Sequence, residues 1–282
     1  MGVNFRVLQA LIFDLDGVVW RGETPIPGAA AAIARLRELG IKPFFATNNS
    51  SRPPQFFAEK LHRAGIAAAP DEVVTSSSAT ALYVARQFPR GISVYAVGEE
   101  GIALALQNVG ARVFLESDFA QRGAASIPQN VEAVVVGIDR EFSYAKLRRA
   151  QSYILGGAKF IATNRDATFP IEGGVVPGAG SVVAAVETAS GTVPVSLGKP
   201  APAMLELILE THGFAKESAA MVGDRLDTDI ACAHRAGIGK IWVATGVDTL
   251  ATAQNAVGEL RPDVFLANLD ELVAKVEASR LI

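Results

Sequence analysis

The chain of 282 residues has a single cysteine, Cys232, which excludes an internal disulfide and fits a reducing compartment. It has no excess of basic charge: 26 Lys and Arg stand against 29 Asp and Glu, a net charge of −3. That balance argues against a bulk nucleic-acid or membrane-surface binder and leaves room for a small anionic ligand at a local site. No apolar run reaches the ~18 residues that a membrane-spanning helix needs. The short apolar stretch near the N-terminus soon meets Asp14 and Asp16, which is unlike a signal peptide. A cytoplasmic protein is expected, without nucleic-acid or membrane partners. The three histidines, His62, His212 and His234, show no metal-ligand spacing and sit where helices should end. No GxGxxG follows the first strand, which disfavours a dinucleotide-binding dehydrogenase. Half of the residues are hydrophobic and a fifth are charged, enough for a real core in one large domain or two.

Short apolar runs alternate with helix-length amphipathic segments. Strands are expected over 7–13, 42–47, 93–97, 133–137, 159–163, 193–197, 218–223, 240–245 and 262–267. Helices are expected over 28–39, 53–64, 77–87, 99–108, 143–155, 179–189, 201–212, 227–236 and 268–279. Several strands are apolar nearly throughout, the mark of strands covered on both faces of a parallel sheet. Gly40, Gly65, Gly110 and Gly237 each stand where a helix stops and a strand begins. The pattern predicts a doubly wound α/β fold.

Ligands of open parallel sheets bind beyond the carboxyl ends of the strands. Four polar clusters occupy such places: Asp14-Leu15-Asp16-Gly17, Thr47-Asn48-Asn49-Ser50-Ser51, Gly198-Lys199-Pro200, and Gly223-Asp224-Arg225-Leu226-Asp227-Thr228-Asp229. Any one of them reads equally well as a turn or helix cap. Four together, supplying carboxylates, a hydroxyl and a lysine, point to a site. DLDGVVW, TNNSS, GKP and GDRLDTD resemble, in order, the four motifs of haloacid-dehalogenase-like phosphatases. DGVVWRGETPIPGA and GDRLDTDIACAHRAG are similar to the NagD and 4-nitrophenylphosphatase branch, and the resemblance covers nearly the whole chain.

The residue types suit phosphoryl transfer, which needs positioning and cations around the transferred oxygens. Asp14 is the expected nucleophile, giving an aspartyl-phosphate. Asp16 is the expected general acid and base, protonating the leaving oxygen and later activating water. Thr47 and the main-chain amides of Asn48 and Asn49 are candidates to hold phosphate, with Lys199. Ionised Asp14, Asp224 and Asp229 facing a phosphate dianion total roughly −5. Lys199 contributes one positive charge, so a divalent ion is required. Magnesium suits oxygen ligands with few protein carboxylates. The resemblance implies Mg2+ on Asp14, the carbonyl of Asp16 and Asp224, with Asp229 orienting a water or Lys199 from outside. Asp227 reads as a cap of the next helix.

About 150 residues separate Thr47 from Lys199, far more than the ~30 of a βαβ unit. The expected division is a discontinuous Rossmann-like core, 1–83 and 195–282, interrupted by an α/β cap over 84–194 with boundaries good to about eight residues. This resembles a type-II cap, which excludes water and selects the leaving group. Within it, the loop after the strand at 159–163 offers Asn164, Arg165, Asp166 and Phe169 as specificity residues. PGAGS at 177–181 is too short for a Walker motif and reads as a helix start.

The function expected is magnesium-dependent hydrolysis of a small phosphorylated metabolite. The alternatives are a phosphotransferase or mutase sharing the aspartyl intermediate, and a non-catalytic phospho-acceptor domain. The last would be far shorter and would lack Asp16. The substrate is open among sugar phosphates, phosphoglycolate, glycerol phosphate, pyridoxal phosphate and nucleoside monophosphates. The resemblance also allows a cap-mediated homodimer.

Overall fold

A computed structural model describes residues 2–122, 128–171 and 174–281. In chain order the strands are β1 (Ala10–Phe13), β2 (Trp20–Arg21), β3 (Thr24–Pro25), β4 (Lys42–Thr47), β5 (Val73–Thr75), β6 (Ser93–Val97), β7 (Arg112–Phe114) and β8 (Ala133–Val136). They continue with β9 (Lys159–Ala162), β10 (Thr168–Ile171), β11 (Gly174–Pro177), β12 (Val195–Ser196), β13 (Ala219–Gly223), β14 (Gly239–Val243) and β15 (Val264–Leu266). All nine expected strands are present. The pairs β2–β3 and β10–β11 are small antiparallel hairpins.

Two parallel sheets carry the fold. The first has the order β15-β14-β13-β1-β4-β5 and the second β12-β9-β8-β6-β7. Both are buried on both faces, which is why their strands read as unbroken apolar runs. On the first sheet, Leu11, Phe13 and Phe45 belong to one cluster, and Ala10, Ile12, Phe44 and Ala46 to another. On the second, Tyr95, Val97, Val134 and Val136 face one way. Val94, Ala96, Val135 and Ile161 face the other, into the cluster that also holds Ile12 and Phe44. One apolar layer therefore runs between the two sheets, through Ala81 and Val84 of the helix Ser76–Gln87. Complete burial of a Leu, Ile, Val or Phe side chain contributes ~1.5–3 kcal/mol relative to exposure, so this layer is a large part of the fold's stability.

The chain passes from the first sheet to the second between Gln87 and Ser93, and returns after Ser196. The expected division at residue 84 falls inside a helix, and that at 195 falls on β12, which pairs with β9. Gly40, Gly65, Gly110 and Gly237 all have positive φ, as a helix stop requires. Gly178 precedes the helix Ala179–Ser190, so PGAGS does start a helix. Two features depart from the sequence reading. The stretch following Ala167 forms the hairpin β10–β11 rather than a loop. Asp227 does not cap a helix: it is exposed and pairs with Arg225, while Asp248 Oδ2 accepts from the Leu226 amide at 2.7 Å. No helix among the described residues is long and apolar enough to cross a membrane.

Candidate active site

The carboxyl ends of the two sheets face one cavity of about 570 Å3. Asp14 follows β1, Thr47 ends β4, Asp224 follows β13, and Asn164 lies just beyond β9. The four clusters that lay far apart in sequence thus share one space. Asp14, Asp16, Thr47, Asn48, Asn49, Asn164, Asp166, Phe169, Lys199 and Asp229 all line it.

Lys199 is buried at the centre. Its Nζ donates to Asp14 Oδ1 at 2.5 Å, to Asp229 Oδ1 at 2.7 Å and to the Ala46 carbonyl at 3.2 Å. Burial opposes the charge of this ammonium, but Asp14 and Asp229 overcome it and hold its pKa above the ordinary lysine value. Both oxygens of Asp229 are engaged, because its Oδ2 accepts from the Arg225 amide at 3.1 Å. The segment Leu226–Ile230 winds as a π turn that brings Asp229 back under β13.

Asp224 is fully buried. Its Oδ2 accepts from the Val247 amide at 2.6 Å, and its Oδ1 has no hydrogen-bond partner among the described residues. Burial, reinforced by the charge of Asp229, pushes its pKa up to about 7. Burial also raises Asp14 well above the usual carboxylate range, against the pull of Lys199. Asp14, Asp224 and Asp229 each present a carboxylate oxygen within 4.8 Å of the others. Two glycines make room for this group. A Cβ on Gly246 would lie 1.8 Å from Asp224 Oδ2, and one on Gly17, whose φ is +92°, would lie 2.5 Å from the same atom.

Asp16 stands apart from the lysine. Its Oδ1 accepts from Trp20 Nε1 at 3.1 Å, and Lys60 Nζ sits 4.5 Å from the Trp20 ring centroid. Trp20 is thereby fixed at the site by a turn in which the Val19 and Trp20 amides both donate to the Leu15 carbonyl. Burial raises the Asp16 carboxyl above its ordinary value; Lys60 and the Trp20 hydrogen bond oppose it.

Thr47 Oγ1 accepts from the Asn49 amide at 3.1 Å, so that amide is engaged within the loop. Asn49 Oδ1 accepts from the amide and hydroxyl of Ser51. From the second sheet, Asn164 Nδ2 donates to the Asn48 carbonyl at 2.7 Å, and Asp166 Oδ2 accepts from Asn48 Nδ2 at 3.0 Å. Phe169 lines the cavity with Ile138 and Val175 as its apolar wall. Arg165 is the exception: it is exposed, pairs with Glu187 at 2.6 Å and does not line the cavity. The Asx turn in which the Asp166 amide donates to Asn164 Oδ1 turns the residue between them outward.

Sequence reasoning missed Arg225, Gly246, Val247, Arg21 and Thr228, all of which line the cavity. Arg225 and Thr228 lie within a recognised motif. Nothing marks the segment at 244–248, whose contribution is a main-chain amide and the space left by a missing side chain.

The chain matches the family model for haloacid dehalogenase-like hydrolase over residues 11–112 and the model described as HAD-hydrolase-like over residues 196–272. It is 38% identical over 269 residues to the acid sugar phosphatase of Staphylococcus aureus, covering 95% of this chain and 98% of that one. Among solved structures, it resembles glycerol phosphate phosphatase from Mycobacterium tuberculosis in complex with magnesium, with a TM-score of 0.85 and 35% identity over 96% of this chain and 78% of that one. It also resembles 4-nitrophenylphosphatase from Thermotoga maritima, with a TM-score of 0.85 and 32% identity over 96% of this chain and 98% of that one. The chain belongs to the haloacid dehalogenase-like hydrolases, among the phosphatases of the NagD and 4-nitrophenylphosphatase type.

Proposed function

We propose that the protein is a magnesium-dependent phosphomonoester hydrolase for small phosphorylated metabolites of the sugar phosphate or glycerol phosphate class, working through phospho-Asp14. The observation that carries this reading is the arrangement of four carboxylates and one lysine at the ends of the strands. Asp14 and Asp229 share Lys199, Asp224 keeps a buried oxygen without a donor among the described residues, and Asp16 is held separately by Trp20.

The site fits a divalent cation. Three carboxylates converge, and Asp224 Oδ1, without a hydrogen-bond partner among the described residues, is a desolvated acceptor that a cation would satisfy. Asp14, the Asp16 carbonyl and Asp224 would hold the ion, while Asp229, with both oxygens engaged, acts from outside on Lys199. When bound, magnesium supplies positive charge against the phosphoryl oxygens.

The chain's own residues do the rest. Asp14 Oδ attacks phosphorus and the bond to the leaving oxygen breaks. Asp16, whose burial favours the protonated form, delivers its proton to that oxygen. The Asp16 carboxylate then takes a proton from the water that opens the acyl phosphate. Lys199 and Thr47 hold the phosphoryl group, and Lys199 keeps Asp14 oriented. The segment carrying the second sheet, which runs through β12 and so past the expected boundary at 194, closes the cavity with Asn164, Asp166 and Phe169 beside the leaving group.

The test is release of phosphate from sugar phosphates, glycerol phosphate and 4-nitrophenyl phosphate, with and without magnesium. Turnover lost on chelation and in Asp14→Asn supports the reading. Turnover unchanged in Asp14→Asn would falsify it.

A further inference from the structure

Asn48 entered as a donor of its main-chain amide to phosphate, yet its side chain has three other partners. Oδ1 accepts from the Lys199 amide at 2.8 Å, and Nδ2 donates to the Lys199 carbonyl at 3.0 Å. One side-chain amide therefore satisfies both main-chain groups of a single residue, and that residue is the lysine between Asp14 and Asp229. Nδ2 also donates to Asp166 Oδ2 at 3.0 Å. Asp166 is an acceptor here, so the three bonds agree on which end of the amide is oxygen and which is nitrogen.

The local backbone is built around this clamp. Lys199 follows the two-residue strand β12 and precedes the helix Ala203–His212, so no long element fixes it. A Cβ on Gly198 would lie 2.7 Å from Asn48 Oδ1, and only glycine allows the approach. The Asn48 carbonyl is pinned in turn by Asn164 Nδ2 and Ser76 Oγ, each at 2.7 Å. Asn48 thus ties together the loops after β4, β9 and β12.

We infer that Asn48 is a positioning residue, whose side-chain amide fixes the main chain of Lys199 and through it the ammonium that joins Asp14 to Asp229. The inference rests on the proposed phosphatase reading for its effect on turnover, and on geometry alone for its effect on Lys199.

Two measurements test it. The first compares wild type, Asn48→Ala, Lys199→Ala and the double variant on 4-nitrophenyl phosphate with magnesium. Asn48→Ala is expected to lower kcat by ~10–100-fold, as loss of an orienting partner does, with KM within ~3-fold. In the Lys199→Ala background the same change costs less than ~3-fold, because Asn48 acts through the residue already removed. An equal loss in both backgrounds, or a raised KM at unchanged kcat, overturns the inference. The second measurement follows the Lys199 ammonium by 15N NMR, assigned by its absence in Lys199→Ala. A protected signal in wild type that broadens or vanishes in Asn48→Ala supports the inference; an unchanged signal overturns it. This readout needs no turnover, so it decides the positioning role even where the wild type hydrolyses nothing. Should Asn48→Ala not fold, Asn48→Asp keeps an acceptor for the Lys199 amide and replaces the donor by a carboxylate oxygen that faces the Lys199 carbonyl and Asp166 Oδ2. Wild-type kcat and an unaltered Lys199 signal in that variant refute the clamp.

Discussion

Replacing Asp224 by Asn is expected to stabilise the metal-free protein and to abolish its stabilisation by magnesium. In the folded chain Asp224 is held near pH 7 by burial and by the charge of Asp229, against an ordinary value of 3.8. The fold therefore favours its protonated form. The stability this contributes is complete below about pH 4 and is lost as pH rises through about 7. Integrated over that window at ~1.4 kcal/mol per pH unit, the loss reaches about 4 kcal/mol at pH 8 and is less than half of that at pH 5. An amide at position 224 never ionises. Its oxygen can still accept from the Val247 amide, and its NH2 takes the place of the orphaned Oδ1, facing the oxygens of Asp14 and Asp229.

Metal-free Asp224→Asn should accordingly exceed wild type in thermal stability at pH 8, by up to about 8 °C at ~2 °C per kcal/mol for a chain of this size, and by much less at pH 5. Magnesium at a hundred times its dissociation constant should add ~2.7 kcal/mol to wild type and almost nothing to the variant. The assay is scanning calorimetry at pH 5 and pH 8, in chelator and in magnesium. The reasoning is refuted if the variant melts below wild type in chelator at pH 8, or if it keeps the full magnesium shift.

Other outcomes are fixed by the same geometry. Asp14→Asn should lose at least ~10³-fold in kcat with the melting temperature unreduced, measured by phosphate release. Asp16→Asn should still release about one nitrophenolate per site from 4-nitrophenyl phosphate in a burst, because that leaving group needs no proton. Turnover should then stall, since no base activates water; the absence of any burst in rapid-mixing absorbance would show that the first step needs Asp16 even with this leaving group, against the reasoning. Gly246→Ala places a carbon where Asp224 Oδ2 stands, so both the magnesium-induced melting shift and kcat should fall together. Arg165→Ala should leave kcat/KM within ~3-fold on every substrate tried, because its guanidinium is spent on Glu187 outside the cavity.

How far the sequence disclosed this site depends on what each residue contributes. Asp14, Thr47, Asp224 and Lys199 were legible because a charged or hydroxyl side chain at the end of an apolar run is conspicuous, and the ends of parallel strands converge. Val247 was not, because it supplies only a main-chain amide, which every non-proline residue owns. Gly246 was not, because its contribution is an empty volume defined by a carboxylate more than twenty positions away. Arg165 was misjudged for a local reason: the Asx turn at Asn164 alternates the facing of neighbours, so proximity in sequence to Asn164 and Asp166 placed it on the opposite side. The hairpin β10–β11 was missed because Pro170 and the paired glycines at 173 and 174 carry the marks of a turn, and a two-stranded ribbon needs few apolar residues. Asn48 shows the remaining limit. Its type and place suggested a phosphate-binding amide, but its side-chain partners lie 118 and 151 residues away. A clamp of that kind has no local pattern to announce it, since Asn is as suited to a turn as to a distant backbone. It becomes visible only when the fold brings the three loops together, and what then distinguishes it is that both of its amide atoms are spent on Lys199, whose ammonium touches Asp14.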